Sequence, residues 1–253
     1  MASTTQAELN QAVLEELGIT WPPTEDELPY DDGMPMETQR HALQLQLLQD
    51  PLRLYYAEAG RRDVYISGNM FVYFSLAQVR NQDFRGPDFF VVLDVSPRER
   101  KSWVIWEEGK GPDVVIELLS ESTATHDKGE KKLIYQNALR VPEYYWFDPF
   151  SAQWAGFGLQ HNRYVEISED SQGRLLSSGL QLALVRWEGD YQGVTARWLR
   201  WATLEGTLLP TPQEVANEAQ RQANEAQRQA ESMAAELARY RERFGPLPEE
   251  DRT

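Results

Sequence analysis

Asp88, Glu117 and Lys131 are the residues whose types and spacing could do chemistry together. Asp88 follows Pro87 and introduces the apolar run FFVVLDV, and Glu117 stands inside the apolar run VVIELL. An ionised carboxylate in an apolar interior costs several kcal/mol unless a cation or hydrogen bonds compensate it, so Glu117 requires a partner. The 28 residues between the two acids are enough to turn the chain and lay two strands side by side. Two carboxylates on neighbouring strands repel unless a cation lies between them, and oxygen-only ligands suit Mg²⁺ or Mn²⁺. Lys131 offers a second cation. It heads the stripe Lys131, Ile134, Tyr135 and Ala138, spaced i, i+3, i+4 and i+7, which is the face of a helix packed on a sheet. The residues alone leave two readings open: a metal site with an attendant lysine, or a buried Glu–Lys ion pair with Asp88 capping a turn.

The elements that must position this trio follow from periodicity and punctuation. Strands are predicted over 63–66, 71–76, 89–95, 104–106 and 114–119, the last apolar on both faces and therefore central in its sheet. A helix over 37–49 places Glu37, His41, Leu45 and Leu48 on one face, and a second runs over 128–139, opened by the capping pattern Asp127-x-x-Glu130 and closed before Pro142. Aromatic-rich strands continue to about residue 201, broken at Asp148-Pro149, His161-Asn162 and Ser171-Gln172-Gly173. The fold class is mixed α/β. Of the remaining carboxylates, Asp113 reads as a strand-entrance residue and Asp94 as a solvent-side or edge residue. His126 lies at the mouth of the second helix, and the three histidines form no i, i+4 pair that would suggest zinc.

The strongest local pattern is the tail. Thr211-Pro212-Gln213-Glu214 combines a capping box with proline at the first helical position, and NEAQRQA then occurs twice in succession. Ala216, Ala219, Ala223, Ala226, Ala230, Met233, Leu237, Tyr240 and Phe244 alternate in spacing between three and four, an unbroken heptad seam that Gly245-Pro246 ends. The seam suits homo-oligomerisation through residues 212–244; a solvated helix docked only at its Met233–Phe244 end is the other reading. The chain therefore divides into an acidic arm over 1–35, with a short helix carrying Leu9, Val13, Leu14 and Leu17, a central domain over 36–209, and the tail over 210–253.

Composition narrows the functional classes. The 41% hydrophobic content is ample for a core, and no apolar run is long enough to span a bilayer. The first 39 residues lack Lys and Arg, which removes the basic start of a signal peptide, so a cytoplasmic protein without a membrane partner is expected. With no cysteine, disulfides and thiolate-zinc sites are excluded. The net charge of −15 opposes nonspecific binding to nucleic acid but not a local basic groove; nine acids and no base in the first 39 residues supply over half of it.

At GPDFFVV, PDVVIELLSEST, HDKGEKKLIYQNA and VPEYYWFDP, over residues 37 to 205, the chain resembles the Uma-two family of restriction endonucleases in the PD-(D/E)XK nuclease superfamily. The resemblance implies a restriction-endonuclease-like central sheet flanked by helices and Mg²⁺-dependent hydrolysis of DNA. Pro87-Asp88 takes the place of the PD element and Glu117-Leu118-Leu119 that of (D/E)XK, with the missing lysine supplied from the next helix by Lys131. Asp88, Glu117 and the Leu118 carbonyl would hold the metal, with Glu37 a further ligand if it matches the superfamily's first-helix glutamate. Two positions depart from the pattern: Glu121 replaces a proline, and Arg140 a glycine. A catalytically silent module that binds protein partners through its C-terminal helix is the alternative.

Overall fold

The computed structural model describes residues 22–30, 38–80, 86–120 and 124–245. The short helix expected in the acidic arm, Glu37 and Glu121 lie outside them. The chain divides after Leu209 into two compact units. In the first, α1 (Gln39–Glu58) is followed by β1 (Val64–Ser67), β2 (Val72–Tyr73), α2 (Leu76–Arg80), β3 (Phe89–Leu93), β4 (Trp103–Val104), α3 (Ile105–Glu108) and β5 (Val114–Leu118). A helical segment over 124–139, α4, leads into β6 (Glu143–Phe147), β7 (Trp154–Gln160), β8 (Arg163–Ile167), β9 (Leu175–Ser177), β10 (Leu182–Tyr191) and β11 (Val194–Ala202). Among the described residues, no helix is long and apolar enough to cross a membrane.

Six strands form the central sheet in the order β1-β3-β5-β6-β7-β8, with β5 and β6 parallel and every other pair antiparallel. Every residue of β5 is buried, as its two-faced apolar sequence requires. Alternation sorts the side chains: Phe89, Ile116 and Leu118 join Leu48, Leu52 and Trp201 in one core. Phe90, Val92 and Val115 join Tyr135 and Tyr144 in another, so Glu117, between Ile116 and Leu118, faces α4. The first core is closed by α1 and the three-stranded sheet β11-β10-β9. The buried Gln44 amide accepts from Leu199 N at 2.9 Å and donates to its carbonyl at 2.8 Å, locking α1 to β11.

Several expected boundaries shift for local reasons. The strand expected over 71–76 ends at Tyr73, because Ser75 Oγ accepts from Gln78 N and Gln78 Oε1 accepts from Phe74 N, a capped helix start. The strand expected over 104–106 is only Trp103–Val104 before α3 begins. Helix α1 passes through Pro51 to Glu58, because Pro51, Leu52 and Tyr56 continue its buried face. The second predicted helix begins four residues earlier, at Ala124, and alternates α turns with π turns at Asp127–Lys131 and Tyr135–Leu139. It ends at Arg140, whose φ of 51° is left-handed; glycine adopts that conformation without strain, which accounts for the glycine expected there.

The second unit contains α5 (Pro212–Phe244), 33 residues and so about 50 Å long. Both capping-box bonds form, Glu214 N to Thr211 Oγ1 and Thr211 N to Glu214 Oε2, and the helix stops at Gly245 with φ 84°. No residue of α5 is buried.

Candidate active site

The antiparallel pairing of β3 with β5 sets Phe89 opposite Ile116, so the next pair outward is Asp88 and Glu117. The backbone N–H of Leu118 donates to Asp88 Oδ2 at 2.7 Å, and Asp88 N lies 3.5 Å from Glu117 Oε2. Helix α4 crosses this end of the sheet and brings Lys131 Nζ to 3.2 Å from the same Glu117 oxygen. The other oxygen, Oε1, accepts from the buried Tyr135 hydroxyl at 2.6 Å. Glu117 is fully buried, whereas the Lys131 side chain remains 18% exposed and Asp88 is partly exposed, so the cluster opens to solvent on the Asp88–Lys131 side. The structure thus brings together the three residues singled out by sequence. Leu118 joins them through its N–H.

Two further residues complete the cluster. Asp127 does not cap α4, as its pattern with Glu130 suggests. The helix already begins at Ala124, and the Asp127 carboxylate turns inward, almost fully buried, with Oδ1 2.9 Å from Lys131 Nζ. That contact is a charge pair without hydrogen-bond alignment, and among the described residues neither Asp127 oxygen has a hydrogen-bond partner. Tyr135 reads from sequence as packing alone, yet its hydroxyl fixes Glu117. The spacing Asp127, Lys131, Tyr135, four residues apart at each step, is the signal that could have found both. The wider π turns of α4 keep the three on one face, a distortion that recurs at functional sites. Tyr144, its ring tilted against that of Tyr135 at 5.3 Å between centroids, donates to the Asp127 carbonyl at 2.8 Å and pins this turn.

Three carboxylates face one ammonium here, and the electrostatics follow. Burial, and then the Glu117 charge beside it, raise the Asp88 carboxyl well above its ordinary range. Burial alone would lower the Lys131 ammonium, but Glu117, Asp127 and Asp88 together raise it, so it is held as a cation. The Tyr135 and Tyr144 hydroxyls are pushed up, first by burial and then by Glu117, so they act as donors and not as phenolates.

A second buried acid on the same sheet provides the contrast. Glu143 of β6 accepts from Ser177 Oγ at 2.5 Å, Ser178 Oγ at 2.7 Å, Gly179 N at 2.9 Å and Tyr145 OH at 3.2 Å. Neutral donors enclose it, and it ties β6 to the segment 177–179. Glu117 is instead surrounded by charge beside the partly exposed Asp88 and Lys131, where an excess of negative charge suits another cation. The donors suit a hard one: Asp88 and Glu117 supply two carboxylates, and Mg²⁺ usually binds one or two of these while keeping several waters. Among the described residues there is no group of three or more His, Cys, Asp or Glu that would make an all-protein cage.

The remaining candidates lie elsewhere. Asp113 accepts from Leu93 N at 2.7 Å at the entrance of β5, and Lys110 Nζ lies 2.8 Å away. Asp94 is a largely exposed partner of Arg61 at 2.9 Å. His126 Nδ1 stands 3.1 Å from Glu130 at the surface of α4. His41 is buried, with Nε2 3.3 Å from the Leu119 carbonyl and Nδ1 2.8 Å from Thr38 Oγ1, so it braces the chain just beyond Glu117.

Comparison with known families adds a match to the model described as Uma2, "Putative restriction endonuclease", over residues 9–188. That span contains Asp88, Glu117, Asp127, Lys131 and Tyr135. No curated protein matches the chain.

Proposed function

The chain belongs to the Uma2 family of restriction-endonuclease-like proteins, and on that premise we propose that it cleaves DNA phosphodiester bonds at the Asp88–Glu117–Lys131 cluster with Mg²⁺ or Mn²⁺. The observation that carries this reading is the convergence of two carboxylates from neighbouring strands with a partly exposed ammonium from α4. Asp88, Glu117 and the Leu118 carbonyl would hold the metal, with Glu37 a further candidate ligand. Such an ion would supply polarisation of the phosphate and acidification of a water. Lys131 orients that water or offsets charge developing on phosphorus, and Asp127 on its far side holds the amine in place. Tyr135 keeps the Glu117 carboxylate in one orientation, leaving Oε2 toward the open side.

Incubating supercoiled plasmid with the protein and Mn²⁺ or Mg²⁺ tests the reading. Nicked or linear product is expected from wild type and none from Asp88→Asn, with EDTA abolishing the wild-type product. Intact DNA under all conditions would favour the catalytically silent module, whose working surface is α5.

The tail supports a homo-oligomer. Met233, Tyr240 and Phe244 are 69%, 49% and 61% exposed, and the larger residues all fall in the second half of a seam whose first half is alanine. An antiparallel second copy would set Ala216 against Tyr240, Ala219 against Leu237 and Ala223 against Met233, small against large in these layers, with Ala226 against Ala230 at the centre. Parallel helices would stack Ala on Ala at one end and aromatic on aromatic at the other, forcing them to splay. The only favourable parallel charge pair, Glu236 with Arg241, is exposed and worth roughly 0.5 kcal/mol, too little to offset that mismatch. Light scattering is expected to give a dimer for wild type and a monomer for Met233→Glu combined with Leu237→Glu, at unchanged helix content. Equal masses for the two proteins would remove the seam's oligomeric role.

A further inference from the structure

Phe150, in the turn after β6, is 64% exposed although the turn that carries it is fixed. Asp148 Oδ1 accepts from Phe150 N at 2.8 Å and from Ser151 N at 3.1 Å, and Ser151 Oγ donates to Asp148 Oδ2 at 2.5 Å. The ring is therefore held out into solvent by design of the turn. It also stands at the site's end of the sheet. Leu119, two residues beyond Glu117, donates to the Phe147 carbonyl at 2.7 Å, and His41, bound to the Leu119 carbonyl, has its ring 6.0 Å from that of Phe150.

Two cations flank this edge. The Arg40 guanidinium lies 5.7 Å from the Phe150 centroid and 4.9 Å from that of Trp198, steadied by a hydrogen bond to the Pro149 carbonyl at 3.2 Å. Lys128 Nζ lies 4.2 Å over Trp146, the residue directly across from Glu117 in the β5–β6 register. Among the described residues no carboxylate forms a salt bridge with either. In a chain of net charge −15, the Arg40 cation against an exposed ring, with Lys128 over the strand that leads into its turn and interacting electrostatically with Asp148 there, marks a place for an anionic partner with flat, apolar faces.

We propose that Phe150 stacks an exposed nucleobase of the substrate strand while Arg40 and Lys128 contact its flanking phosphates. The inference rests on the nuclease reading and narrows it. Bases inside a duplex have both faces covered by their neighbours, so a stacking platform at the site's end of the sheet selects single-stranded or locally unpaired DNA.

Fluorescence anisotropy of the full chain with a short labelled single strand and with the matching duplex, both in EDTA to prevent cleavage, tests this. Wild type is expected to prefer the single strand. Phe150→Ala should weaken single-strand binding roughly tenfold and Phe150→Trp should retain it, with melting temperatures unchanged because the ring is exposed. Placing abasic sites throughout the strand should remove the difference between wild type and Phe150→Ala. Equal binding by wild type and Phe150→Ala, a preference for duplex, or no binding at all would overturn the proposal. Metal-dependent plasmid cleavage that ignores Phe150 would leave the nuclease reading standing without this inference, whereas Phe150-dependent binding without any cleavage would do the reverse.

Discussion

Lys131→Met is expected to destabilise the metal-free protein by about 3–5 kcal/mol at neutral pH, because among the described residues the ammonium is the one cation facing three carboxylates. Its removal leaves the fully buried Glu117 with the Tyr135 hydroxyl and the long contact from Asp88 N, neither of them a charge, and the nearly buried Asp127 without a counter-ion. Methionine fills most of the volume, so the loss reports charge and not a cavity. In melting temperature the drop should be on the order of 10 °C for a domain of this size. Its pH dependence has a definite sign. Asp88 has a raised folded-state pKa, so the stability it contributes is complete at acid pH and lost as pH rises through that value. Without Lys131, which favours its ionised form, Asp88 is harder still to ionise, so the deficit should widen with rising pH and narrow in acid. Adding Mn²⁺ should narrow it at neutral pH by restoring positive charge. Thermal melts in EDTA over the acidic to neutral range decide the matter; a variant that melts with wild type throughout would mean that the ion pair contributes nothing to stability.

Glu117→Gln, on the other side of the same ion pair, is expected to behave oppositely. Lys131 keeps Asp127 at 2.9 Å, and the Tyr135 hydroxyl can donate to an amide oxygen as it does to the carboxylate. Repulsion with Asp88 disappears. The apoprotein should therefore be at least as stable as wild type. The loss appears only with metal: a saturating divalent ion at about 100 times its dissociation constant stabilises wild type by roughly 2.7 kcal/mol, and the amide should abolish that gain together with any DNA cleavage. Calorimetric titration with Mn²⁺ and melts with and without it measure both effects. A wild type whose melting point ignores millimolar Mn²⁺, together with a large drop for the variant in EDTA, would leave a structural ion pair in place of a metal site. Glu143 sets the scale for such a structural acid: its four neutral donors need no cation, and replacing it should not alter the response to metal.

The sequence by itself determined those features that depend on neighbours a few residues away. Helix α5 starts at the proline following Thr211 and stops before Gly245, because a capping box and a terminating glycine are complete within one turn of chain. Strands β3 and β5 follow from their apolar runs, and Glu117 is conspicuous because its run contains no other polar side chain. The inward aim of Lys131 follows from a helical stripe. Tertiary structure alone decided what those residues meet. Asp127-x-x-Glu130 has the same local pattern whether its first acid caps a helix or pairs with Lys131, and the helix beginning at Ala124 removes the first possibility. The antiparallel register that sets Asp88 beside Glu117 depends on how the intervening segment folds back. The cage around Glu143 comes from residues 177–179, more than thirty positions later, and the meeting of Arg40 with Phe150 spans 110. Capping and periodicity are fixed by short-range hydrogen bonds and alternation, whereas the partner of a buried charge depends on which distant segments the packed layers bring into contact.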